Sequence, residues 1–186
     1  MSMEFLTLFS QSREQRADLQ QSRARLYRMA YAWCHNAALA DDLAQETLTK
    51  ALRKAGQLRD PKARDAWLFT ILANCYRDHF RRQRDMDDID DVELHDDVTP
   101  ESRNSQQEIV LMVRAAIAKL PEAQRQVMTL VDLEGFTYIE VAGVLGVPIG
   151  TVMSRLCRAR NALRELLVPE MERQTGSQAV TLRRVK

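Results

Sequence analysis

Residues 85 to 97 read Asp85-Met86-Asp87-Asp88-Ile89-Asp90-Asp91-Val92-Glu93-Leu94-His95-Asp96-Asp97, and no other stretch constrains the fold as strongly. Carboxylates this close together repel one another and cannot share a core, so the run reads as a linker. The chain must therefore fold on either side of it. Residues 1–84 hold 15 Lys/Arg against 9 Asp/Glu, residues 85–108 hold 1 against 10, and residues 109–186 hold 11 against 7. The formal net charge of +1 thus hides two basic blocks and an acidic divider.

Each block has the spacing of helices. With six glycines and five prolines in 186 residues, the chain has few of the turns that sheets require, so the expected class is all-α with two small helical domains joined by a flexible acidic linker. Leu26, Ala30 and Trp33 mark a first helix, and Leu39, Leu43, Leu48 and Leu52 mark a second. A third follows Pro61, with Leu68, Ile71, Leu72, Cys75 and His79 on one side at 100° per residue. Thr70, Asn74, Arg77 and Arg81 fall on its other side, bordered by Trp67, Phe69, Tyr76 and Phe80. Arginines beside aromatic rings suit single-stranded nucleic acid, where phosphates meet cations and unstacked bases meet rings. A solvated face with its aromatics in the core has the same pattern.

In the second block, Ser105 and Glu108 have capping-box spacing ahead of Ile109, Met112, Val113, Ala116 and Ile117. Pro121 starts a helix burying Val127, Leu130 and Val131. Thr137 and Glu140 form a second Thr-x-x-Glu box, Gly146 suits a left-handed helix end, and Pro148 fits a first helical position. Two short helices around a tight turn result, with Ile139, Ala142 and Leu145 facing inward from the first and Val152 and Leu156 from the second. Met153, Ser154, Arg155, Cys157, Arg158 and Arg160 are left on or near the outer side, where a major groove could accept them, and Thr151 joins them as a candidate DNA-binding residue. An ordinary helical hairpin with a basic solvated face would carry similar residues.

Other chemistries have little to stand on. Cys34, Cys75 and Cys157 form no Cys-x-x-Cys pair, and Cys75 with His79 offers two ligands on an apolar stripe, better suited to packing than to metal. No Gly-rich phosphate loop or nucleophile motif is present, so neither a cofactor nor catalysis is expected. No apolar run reaches membrane-spanning length and the amino terminus lacks a signal-peptide layout, which makes the cytoplasm the expected compartment, without membrane insertion.

Asp41-Asp42-Leu43-Ala44-Gln45-Glu46, then Ala66-Trp67-Leu68-Phe69-Thr70-Ile71-Leu72-Ala73-Asn74, then Leu120-Pro121, then Gly150-Thr151-Val152-Met153-Ser154-Arg155 together resemble the extracytoplasmic-function (ECF) class of bacterial sigma factors of the sigma-70 family, over roughly residues 20 to 168. The resemblance implies sigma region 2 over 1–84, a linker over 85–107, the region 4 helix-turn-helix over 108–168 and a flexible tail over 169–186. It further implies core RNA polymerase, promoter DNA and an anti-sigma factor as partners, and no cofactor. Asp42, Gln45 and Glu46 match the surface that docks on the polymerase. Residues 58–64, with Arg59, Lys62 and Arg64, match a loop that captures a flipped base. Asn74, Arg77 and Arg81 lie on the helix that matches the reader of the minus-ten-type element, and the outer face of the last helix matches the minus-thirty-five reader. Met153 departs from members that place arginine there: a thioether can touch a thymine methyl but cannot donate to guanine. The alternative class is a helix-turn-helix regulator that binds duplex DNA without polymerase.

Overall fold

The computed structural model describes residues 21–54, 58, 60–86 and 105–182. They are helical apart from short connections, and the chain divides into two compact units, Met1–His95 and Asp96–Lys186. The acidic run beyond Met86 and the Leu58–Arg64 loop's Arg59 lie outside the described residues.

Three helices build the first unit: α1 (21–34), α2 (Ala37–Arg53) and α3 (Arg64–Met86), the last entered through a 3-10 turn at Pro61–Ala63. His35 ends α1 in the left-handed region at φ 52°, and Asn36 caps α2 by accepting from the Leu39 amide at 2.9 Å. Leu26, Met29, Ala30 and Trp33 of α1 and Leu68, Phe69, Leu72, Cys75 and Tyr76 of α3 are all buried. The Trp33 and Tyr76 rings meet edge to face at 5.6 Å.

Two apolar stripes differ from the sequence reading. On α2 the buried residues are Ala40, Leu43, Ala44, Thr47 and Ala51, while Leu52 is 64% exposed. Leu43 is buried as expected, Leu39 and Leu48 are half-buried, and alanines hold much of the stripe's centre, because large α1 and α3 side chains fill the space between helices. On α3 the buried sector spans about 200° of the helical wheel, because the helix packs on two sides. Phe69 and Tyr76 therefore sit in the core and leave only Trp67 and Phe80 half-buried beside the polar stripe.

The second unit comprises α4 (Ser105–Ala118), α5 (Glu122–Met128) continuing into a π turn at Thr129–Leu133, α6 (Tyr138–Leu145) and α7 (Ile149–Leu182). Thr129 bonds back to the Arg125 and Gln126 carbonyls, a side-chain competitor to the regular ladder that accompanies its widening to five-residue spacing. Gly135, at φ 75°, turns the chain toward α6. The core gathers Ile117, Leu120, Val127, Leu130, Phe136, Val141, Val144, Val152, Leu156 and Ala159. Leu145 is buried as expected, but Ile139, also expected inward, is 74% exposed and Ala142 only half-buried: Val141 and Val144 complete the buried edge of α6. Ile109, also expected inward, is half exposed.

The boundaries shift as well. α3 runs two residues past 84, and α4 starts at Ser105, where the capping-box spacing placed it. α7 does not stop at 168, where a tail was expected; it passes through Pro169 to Leu182. Proline removes one ladder donor, but Glu165, Leu166 and Leu167 before it and Glu170, Met171 and Glu172 after it are strong helix formers. Among the described residues no single helix is long and apolar enough to cross a membrane.

Candidate nucleic-acid interface

The turn between α6 and α7 is fixed at both ends. Thr137 and Glu140 form the predicted capping box: the Thr137 amide donates to Glu140 Oε2 at 2.8 Å, and the Glu140 amide donates to Thr137 Oγ1 at 3.3 Å. Those bonds, with the Thr137 hydroxyl's own donation first in size, hold the Glu140 carboxyl below its ordinary pKa. Gly146 closes α6 at φ 66° in the left-handed region, where a Cβ would be strained. Pro148 stands one residue before α7 and its carbonyl accepts from the Thr151 and Val152 amides.

α7 turns Val152, Leu156 and Ala159 into the core and sends the predicted site residues outward. Ser154 and Arg158 are exposed, and Thr151 and Arg155 are half-exposed. The Ser154 hydroxyl donates to the Thr151 carbonyl at 3.1 Å. Arg155 and Arg158 have no hydrogen-bond or ion-pair partner among the described residues.

Arg160 is different. Its guanidinium forks onto Asp132 of the π turn, at 2.6 Å from Nη2 and 3.2 Å from Nε. That bond is the first cause of its raised pKa, with Tyr138 a smaller contributor. Arg160 therefore ties α7 to the end of α5. The sequence reading missed Asp132, because the π turn that aims it is a tertiary event and the partners lie 28 residues apart.

In the first unit Asn74, Arg77 and Arg81 share one exposed edge of α3. Arg77 Nη2 donates to Asn74 Oδ1 at 2.6 Å and its Nε to the Ala73 carbonyl at 3.3 Å. Arg81 pairs with Asp78 at 3.2 Å, and Arg82 Nε donates to the Asp78 carbonyl. At the head of α3, Lys62 is exposed and its amide donates to Asp60, while Arg64 sits by Asp65.

On α2, Asp42 and Gln45 are exposed and the Gln45 amide reaches Asp41 at 3.4 Å. Glu46 leans toward α3: it pairs with Lys50 at 2.8 Å and stands 4.0 Å from Arg82. The Glu46 bond raises the Lys50 pKa, burial opposes the shift, and the Cys75 sulfur, 3.4 Å from Lys50 Nζ, adds to it. Cys75 thus faces an ammonium within the α2–α3 contact, and the His79 ring meets Phe80 edge-on. Among the described residues no group of three or more His, Cys, Asp or Glu could hold a metal ion.

Residues 19–86 match the family described as sigma-70 region 2, and residues 110–163 match that described as sigma-70, region 4. The ECF RNA polymerase sigma factor EcfG of Rhodopseudomonas palustris is 39% identical over 133 residues, covering 71% of this chain and 73% of that one. The RNA polymerase sigma-H factor of Pseudomonas aeruginosa is 37% identical over 147 residues, 73% of this chain and 76% of its own. Among solved structures, the sigma factor RpoE in complex with the anti-sigma factor NepR from Bartonella quintana aligns with a TM-score of 0.66 at 32% identity, over 83% of this chain and 96% of that one. CnrH in complex with the cytosolic domain of CnrY aligns at 0.55 and 28% identity, over 82% and 88%.

Proposed function

The chain belongs to the ECF sigma factors of the sigma-70 family, and from that premise we propose how its two units divide the work of promoter recognition. The protein is an alternative sigma factor: it joins core RNA polymerase and directs promoter-specific initiation. Its own contribution is binding and placement, with bond-making left to the polymerase, and its place of work is the cytoplasm, where that polymerase transcribes.

The observation that carries the division is the outer face of α7, where Arg155 and Arg158 have no partner among the described residues on a helix entered through a closed turn. An arginine held ready on such a helix can fork onto a guanine edge or a phosphate of duplex DNA. The second unit reads the upstream, minus-thirty-five-type element. The first unit reads the minus-ten-type element through Asn74, Arg77 and Arg81, with Lys62 and Arg64 at the mouth of the base-capturing loop and Arg59 within it. Asp42 and Gln45 dock on the polymerase; Glu46 contributes less directly, since it is held by Lys50. An anti-sigma protein restrains this factor, as NepR is bound to the Bartonella relative. Two tethered readers raise specificity through effective concentration.

The test is reconstitution. The purified chain, mixed with core polymerase, should co-elute on gel filtration and start transcripts at defined promoters that core alone ignores. Tight binding to a palindromic duplex without polymerase, and no co-elution, would defeat the reading in favour of a regulator.

A further inference from the structure

The first turn of α7 presents carbon where a nucleic-acid reader would be expected to present nitrogen. Ile149 is 45% exposed and Met153 54%, four residues apart and so neighbours on one edge of the helix. The buried side of this part of α7 is formed by Val152, Leu156 and Ala159. Between Ile149 and Met153, Gly150 has no side chain, and a Cβ there would meet nothing within 4 Å. The outer edge of the helix is therefore low at this point, and the two apolar groups project past it. Arg155 and Arg158 follow further along the same helix, at least about 120° round from the pair at the helical period, so the apolar groups and the arginines hold different flanks of α7.

Neither isoleucine nor methionine can hydrogen-bond to a base. In the major groove the base-edge feature that rewards an apolar contact is the C5-methyl group of thymine. We propose that Ile149 and Met153 form an apolar dyad that reads thymine methyl groups in the upstream promoter element, and so set its base preference alongside the arginines. The proposal rests on the reading of α7 as the helix that enters that element, and it makes Ile149 a specificity-determining residue that the motif reading did not include.

Deoxyuridine lacks only the C5-methyl of thymidine, which makes it the direct probe. Holoenzyme assembled from the full chain and core polymerase is given promoters in which each thymine of the upstream element is replaced singly by deoxyuridine. At one or two positions initiation should fall about fourfold, the worth of one buried methyl-sized group. The fall at one position should vanish in Met153→Ala and at the other in Ile149→Ala, whereas Met153→Leu, which keeps an apolar group, should retain it. Both side chains are surface-exposed, so the variants should fold, and the melting temperature of each checks that they do. Wild-type holoenzyme that transcribes the thymine promoter well but is indifferent to every deoxyuridine overturns the methyl contact alone. Deoxyuridine effects that survive unchanged in all the alanine variants overturn it too, by tracing them to DNA shape. Absence of any polymerase-dependent start on the thymine promoter brings down the sigma reading and this proposal together.

Discussion

The two units handle their cations in opposite ways. On α3 of the first, Arg77 is held by Asn74, Arg81 by Asp78 and Arg82 by the Asp78 carbonyl. On α7 of the second, Arg155 and Arg158 have no partner among the described residues, whereas Arg160 is tied to Asp132. Exposed pairs of this kind are worth about 0 to 1 kcal/mol each, so they orient a side chain without locking it away. A unit that meets DNA only after bases have unpaired gains from side chains held in order beforehand. A duplex reader gains from unpaired arginines, because each phosphate it neutralises releases counterions and no internal bond has to break first. The second unit should accordingly carry the steeper salt dependence.

The largest expected effect is at Arg158. Alanine there should relax discrimination among upstream-element variants by about 1 to 3 kcal/mol, read from the ranking of promoter mutants in transcription at two salt concentrations. An Arg158→Ala protein with the full wild-type ranking would falsify the assignment of base reading to the unpaired arginines.

Asn74 and Arg77 test the other half of the contrast. If they act as one prepaired unit, Asn74→Ala, Arg77→Ala and the double variant should lose similar amounts of permanganate reactivity at melted thymines, with a coupling on the order of 1 kcal/mol. Core-polymerase binding should be unchanged. Fully additive losses would show that the 2.6 Å bond has no part in melting.

The start of α6, the helix that precedes the arginine-bearing α7, can be weakened separately. Thr137→Ala removes the cap and should cost about 1 kcal/mol of stability, seen as a lower melting temperature. In the wild type the Glu140 carboxyl is held below its ordinary value of 4.5 by Thr137. The stabilisation it provides is therefore complete above that pH and is lost as pH falls through the lower folded-state value. Thr137→Ala should flatten that acid-side loss, and a melting curve with the same acid slope as wild type would refute the linkage.

The smallest effect is expected at Asp132. Asp132→Asn breaks the tie to Arg160 at a cost of at most about 1 kcal/mol, and frees a third arginine on α7. The salt slope of promoter binding should then rise by up to about one while the ranking of promoter variants stays put. A changed ranking would mean instead that the tie sets the angle of α7 and thereby the base contacts.

Much of this molecule follows from local sequence. The capping box of Thr137 and Glu140, the left-handed Gly146, the entry at Pro148 and the burial of Val152 and Leu156 are fixed within one or two turns of chain, where backbone sterics and near-neighbour hydrogen bonds decide. The outward side of Arg155 and Arg158 and the shared edge of Asn74, Arg77 and Arg81 follow from helical period alone. Tertiary structure decided what depends on the width of a contact. The buried sector of α3 takes in Phe69 and Tyr76 because two helices pack on it; the axis of α2 runs through alanines because its neighbours are bulky; and Ile139 faces outward because the inner edge of α6 is set by α7. Helical period already turns Arg160 toward the flank of α7, away from Arg155 and Arg158, but it could not name a partner for it. That partner is a carboxylate brought from 28 residues away by a π turn, and periodicity holds no information about a partner on another helix.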